Sequence, residues 1–292
     1  MTKHTLENGS IDLERLTLND AAIEYLGSSW FSDLAPATKG QYRRYINILD
    51  RRRFNKRLHL FRAKDADELY MEVRDGHTLR ISQYFVSVWK VIFRYAEING
   101  WVDRNPWDVI KVKGTPARRT TWTREQVATF VETAANIGDV ILAAFIQLLY
   151  ETAQRPTDIL EISEWFPLDN QWYVRIIQNK TGAEVVLPIS DWAWALCGCP
   201  QPGDRDTLIG TTLGLTGIRP RFNHVKKIVG LPKEVQIRDL RRTALTELGE
   251  LGSTDDEMQA VSGHTDRNTL NVYSVPTVTK AQNAFNRRFN SE

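Results

Sequence analysis

The chain has 292 residues, enough for two domains with separate cores, and its 42% hydrophobic and 25% charged content is that of an ordinary globular protein. No apolar run reaches the roughly 18 residues of a membrane span, no apolar h-region follows the N-terminus, and Cys197 and Cys199 fit neither an ordinary bridge nor a zinc spacing, so a reducing cytoplasm is expected. The formal net charge is only +2, but residues 1–120 carry 21 Lys/Arg against 15 Asp/Glu while residues 121–292 carry 17 against 21; barring chance, a basic first part implies an acidic partner such as DNA.

Residues 1–18 show little periodicity and are expected to fray. Asn19 or Asp20 is placed to cap a short helix through Leu26, which Gly27-Ser28-Ser29 ends. Thr38 then opens a helix with Tyr42, Tyr45 or Ile46, and Leu49 on its apolar face. Its other side carries Arg43 and Arg44, followed by Arg51-Arg52-Arg53 and Lys56-Arg57. Such a run is a solvated face or, beside a DNA strand, a set of phosphate partners.

From Leu79 to Asn99 a longer helix is expected, with Phe85, Val88, Ile92 and Ala96 as its apolar stripe, widened by Trp89 and Phe93. A second stripe holds Arg80, Gln83, Ser87, Lys90 and Arg94, cationic and without an acid. Cations suit phosphates, and Gln or Arg can reach base edges in the major groove. Asn99-Gly100 ends this helix and Asn105-Pro106 starts a turn. Lys111, Lys113, Arg118 and Arg119, with Gly114 and Pro116, then form a basic linker able to lie across a phosphate backbone. The boundary is placed there, giving domains 1–114 and 115–292.

In the second part, Thr123 and Gln126 make a capping box for a helix through Ala135, and the apolar stretch 139–151 reads as a core helix. Pro156 suits the first position of a helix over 156–162, which sets Arg155 beside a helix N-terminus, where free amides favour anions. By itself Arg155 reads equally as a surface arginine. The β-rich runs 172–177 and 184–189 flank Gln178 to Ala183, so a hairpin with Lys180 in its turn is expected. Asp191 to Leu196 reads as helix, 203–219 as irregular, and Arg221 to Val229 as a helix with His224, Lys226 and Lys227 on its surface.

The densest chemistry lies between Val235 and Tyr273. Arg238 and Arg241 stand where a helix begins, and Leu240, Ala244 and Leu248 mark its buried face. Gly249 and Gly252 are stop signals; Asp255 to Val261 forms a second helix leading into Gly263-His264. Tyr273 follows His264 by nine positions, and beyond it Val278 to Phe289 is expected to be helical. A phenol is a poor nucleophile at neutral pH, since its pKa is about 10. It can attack phosphorus where guanidinium forks hold the phosphate and stabilise the developing charge.

This stretch resembles the signature of the tyrosine recombinases, the phage-integrase family: a His-x-x-Arg box, then Gly-His, then the nucleophilic tyrosine nine residues on. Arg241, Gly263-His264 and Tyr273 match it, whereas Arg238 stands where the family has the first histidine. The resemblance implies a mainly α fold, with a helical core-binding domain and an α-rich catalytic domain that contains a small antiparallel sheet. It further implies that Arg155, with Asp158 three residues on, and Arg241 hold the phosphate, that Lys180 is the general acid, and that His264 adds a hydrogen bond. Tyr273 would form a 3′-phosphotyrosine, with neither ATP nor metal. Duplex core sites, a tetramer on two duplexes and accessory DNA-bending proteins are the implied partners, with no role for a membrane. A type IB topoisomerase-like nicking-closing enzyme shares this chemistry; a DNA-binding protein that has lost cleavage is the rival that Arg238 favours.

Overall fold

The computed structural model describes residues 12–49, 51–116, 118–204 and 214–264. They form two compact units that divide between residues 117 and 118. Tyr273, the helix expected over 278–289 and residues 1–11 lie outside the described residues.

The first unit is helical: α1 (Leu18–Gly27), α2 (Ser29–Ser32), α3 (Pro36–Ile46), α4 (Arg51–Phe54), α5 (Ala63–Gly76) and α6 (Leu79–Ile98). Its core forms around α6, whose Phe85, Val88, Trp89, Ile92, Phe93 and Ala96 are all buried, as the stripe predicts. Trp107 packs among them, stacked on Trp89. Two helix starts come earlier than expected. Thr17, not Asn19 or Asp20, caps α1, and Asp20 instead completes the capping box by accepting the Thr17 N–H at 2.9 Å. Pro36, with φ already fixed, takes the first turn of α3 ahead of Thr38. Fraying is also absent at residues 16–18: Leu16 and Leu18 are buried, and Leu58 N–H donates to Leu16 O at 2.7 Å.

The second unit places α7 (Arg124–Asn136) against α8 (Val140–Thr152), a core helix buried on most of its circumference. After α9 (Pro156–Ile159) come β1 (Ile162–Leu168), β2 (Gln171–Ile177) and β3 (Glu184–Ile189), an antiparallel sheet in the order β1-β2-β3. Strand β1 corrects the expected helix over 156–162. Its register slips between Ile162 and Glu164, so the buried residues Ile159, Ile162 and Trp165 follow one another at a helix-like spacing of three. The chain continues through α10 (Asp191–Leu196), α11 (Gly214–Ile228), α12 (Asp239–Leu251) and α13 (Asp255–Ser262). Helix α11 starts seven residues before the expected Arg221 and tolerates Pro220, because Ile218, Phe222 and Val225 bury one face. Gly249 stays inside α12; Gly252, in the left-handed region at φ 89°, ends it. Among the described residues no helix is long and apolar enough to cross a membrane.

Candidate active site

Four backbone segments of the second unit converge. Helix α8 ends at Ala153, a left-handed residue (φ 54°), and Pro156 restarts the chain as α9 with Arg155 at the N-cap. Arg155 Nη1 donates to Gln178 Oε1 at 3.0 Å and lies 3.4 Å from Asp158, which is fully buried. Arg241, in the first turn of α12, is 6% exposed. It donates to Ala153 O and Ser262 O, both at 2.9 Å, and reaches His264 Nε2 at 3.1 Å. His264 follows the left-handed cap of α13, Gly263, and its Nδ1 lies 2.8 Å from Ser262 Oγ. Arg155, Arg241 and His264 therefore share one network.

Sequence reasoning missed the residue at its centre. Gln178, at the base of the β2–β3 hairpin, is fully buried. Its Nε2 donates to Gln154 Oε1 and to Ser262 O, each at 2.7 Å. Gly263 packs against it so closely that a Cβ there would fall 2.4 Å from Gln178 Nε2. The only sequence signal was a side chain with two donors and an acceptor immediately after an apolar strand.

Lys180 sits in the hairpin turn, exposed. Arg238 is the N-cap residue of α12, exposed, and its side chain forms no ion pair or hydrogen bond among the described residues. It lines an open cleft of about 440 Å³ together with Pro156, Arg219, Phe222, Lys226 and Lys233. The Lys226 amine is engaged there, donating to Lys233 O at 2.8 Å and to Val235 O at 2.6 Å.

The tautomer of His264 follows from its partners. Arginine only donates, so Nε2 accepts from Arg241, and Nδ1 carries the proton toward Ser262 Oγ. Burial, then the charges of Arg241 and Arg155, lower the imidazole pKa from 6.5 to about 4. The ring is thus neutral through the physiological range. Below pH 6.5 the unfolded chain binds a proton that the folded ring refuses until about pH 4. Stability from this group is therefore expected in full above pH 6.5 and to fall as pH drops through that window. His264→Asn should flatten this segment of the unfolding free energy against pH; an unchanged segment would contradict the assignment.

Several candidate DNA-binding residues are otherwise engaged. Arg118 meets the buried Asp239 through two bonds, at 2.7 and 2.6 Å, and also donates to Glu234 O. It therefore anchors the start of α12. The α6 stripe is less cationic than its sequence reads, since Arg94 pairs with Glu97, which continues the stripe one step further, and with Asp108 beyond the helix. Gln83 donates to Lys113 O at 2.8 Å, which pins the start of the linker. Arg80 lies over the Tyr84 ring and donates to its hydroxyl, while Arg43 and Arg44 lie over Phe31 and Tyr45. Lys90, Lys111, Lys113 and Arg119 form no ion pair among the described residues; the last three are exposed.

The chain matches no protein-family model and no curated protein sequence. Solved structures do match. A lambda integrase dimer bound to a COC′ core site superposes with a TM-score of 0.75 at 20% identity, over 90% of this chain and 78% of that one. A lambda integrase tetramer bound to a Holliday junction gives 0.74 at 20%, over 91% and 81%. The Tn1549 transposon integrase with a circular-intermediate DNA gives 0.72 at 16%, over 93% and 99%. Both are tyrosine recombinases. At such identities the likeness establishes the fold: mainly helical, with a small three-stranded antiparallel sheet, as expected.

Proposed function

We propose that this chain is a tyrosine-type site-specific DNA recombinase, an integrase of a phage or another mobile element. The observation that carries the reading is the convergence of Arg155, Arg241 and His264 in one hydrogen-bonded network. The fold it shares with two integrases solved on DNA supports it further.

Residues 1–114 form the core-binding domain and 115–292 the catalytic domain. The scissile phosphate lies against Arg155, Arg241 and Arg238, whose guanidinium groups hold its non-bridging oxygens. Taking up phosphate, Arg241 releases His264 Nε2. The Ser262 hydroxyl donates as readily as it accepts, so the ring tautomer can switch and Nε2–H can face the phosphate. Tyr273 Oη attacks phosphorus, its proton passing to water, because Arg238 cannot accept one near neutrality. The P–O5′ bond breaks with its electron pair on O5′, which takes a proton from the Lys180 ammonium. The 3′-phosphotyrosine conserves the bond energy, and the 5′ hydroxyl of a partner strand reverses the step. Two duplexes are held by four protomers, as a lambda integrase tetramer holds a Holliday junction.

The test is an exchange assay with two labelled duplexes that carry the repeated core sequence flanking the gene. Recombinant joints are expected. Relaxation of supercoils without joints would make the protein a nicking-closing enzyme; binding without cleavage would make it a DNA-binding relative.

A further inference from the structure

Lys180 has no bond of its own to hold it: its amine makes no hydrogen bond or ion pair among the described residues. Its place is set by the turn that carries it, and that turn is tied down on both sides. Before it, the Asn179 N–H donates to the buried Asp158 at 3.2 Å. After it, Thr181 Oγ1 donates to Gln178 Oε1 at 2.9 Å, and the Gly182 N–H donates to Gln178 O at 2.8 Å. Gln178 is thus the post to which the turn is fastened. The post is itself immobile, because its side-chain amide has all four bonding positions filled, by Gln154, Ser262, Arg155 and Thr181. A buried, fully satisfied polar network rigidifies its surroundings. The absence of room for a Cβ at Gly263 fixes the same amide from the His264 side.

We infer that Gln178 is the positioning residue for Lys180, holding the hairpin turn so that the ammonium meets O5′ as the P–O5′ bond breaks. The inference rests on the recombinase reading above. It differs from a general stabilising role in one respect: the defect it predicts depends on the leaving group. Oxygen needs the lysine proton because an alkoxide is strongly basic, whereas a thiolate, with a thiol pKa of about 8.5, departs without one.

Single-turnover cleavage of a duplex with an ordinary 5′ oxygen is compared with that of one carrying a bridging 5′ sulfur. On oxygen, Gln178→Met is expected to lose roughly 10²-fold, the cost of a small misplacement of a catalytic group. On sulfur most of that loss is expected to disappear, as for Lys180→Ala, leaving only the smaller part that comes from loosening Arg155, which Gln178 also holds. Thr181→Val removes an exposed hydroxyl that donates to Gln178 Oε1 and accepts from the Ala183 N–H, and should show the same pattern more weakly; it carries the test alone if Gln178→Met fails to fold. Equal losses on both substrates, or no loss on oxygen for either variant, would overturn the inference. Lys180→Ala cleaving oxygen at the parental rate would overturn it while leaving cleavage itself intact. A parent protein that cleaves neither substrate removes the recombinase reading and the inference together.

Discussion

Arg241→Ala is expected to lower the rate of DNA cleavage by roughly 10²–10³-fold, the usual consequence of deleting a donor to a developing oxyanion. The loss should exceed that of a surface arginine because Arg241 is 6% exposed and bonds the segments that close the site. Its removal leaves the Ala153 carbonyl oxygen without that donor, at about 1–3 kcal/mol, while Ser262 O keeps its bond from Gln178 Nε2. Arg241→Lys separates the two effects. A lysine can reach one carbonyl and recover part of the stability, but its point charge cannot replace a fork that spans two phosphate oxygens. Thermal unfolding and single-turnover cleavage should therefore diverge for the lysine variant. Parental cleavage by Arg241→Ala would exclude this residue from the phosphate site.

Arg238→Ala is expected to cost a similar factor, roughly 10²–10³. Here the sequence departs from the family it resembles, and two readings compete: a phosphate donor, or an arginine paired with a surface acid. The second lacks its acid among the described residues, and a pair of that kind is worth only about 0–1 kcal/mol. Instead the guanidinium stands exposed at the N-terminal end of α12, three residues before Arg241, on a cleft it shares with Pro156. Arg238→His should retain substantial activity, since a histidine can donate to the same oxygen. Arg238→Lys should do worse than its charge implies, for want of the planar fork. Rates compared at equal DNA occupancy decide it; an alanine variant that cleaves like the parent places Arg238 outside the site.

Where local chemistry and tertiary packing agree, the sequence could be read directly. The Thr123–Gln126 capping box, Pro156 at the first position of its helix and the buried stripe of α6 all fall where spacing put them. Other elements were hidden for physical reasons. The bulge in β1 gave a strand the apolar spacing of a helix. Helix α5 is no such case: its buried Ala66, Leu69, Tyr70 and Val73 stand at the i, i+3, i+4, i+7 spacing of an amphipathic helix and were simply missed. The start of α11 was masked by Gly217 and Pro220, whose propensities its packing overrides. Arg155, Arg241 and His264, which the motif singles out, lie in one hydrogen-bonded network. The parts that hold the site in shape, Gln178 and the Arg118–Asp239 pair, were not legible in the sequence, because each depends on a partner far away in sequence. Arg118 looked free for DNA for the same reason, whereas Glu97, one acid partner of Arg94, stands only three residues on.

If Tyr273 becomes joined to DNA, that bond can be trapped. A nicked suicide duplex, which loses its 5′-hydroxyl fragment on cleavage and so blocks the reverse step, is incubated with the protein; the adduct is digested and its peptide sequenced by mass spectrometry. A 3′-phosphotyrosine is expected on Tyr273, and no adduct with Tyr273→Phe. An adduct that persists in Tyr273→Phe, or one mapped to any other residue, would contradict that assignment.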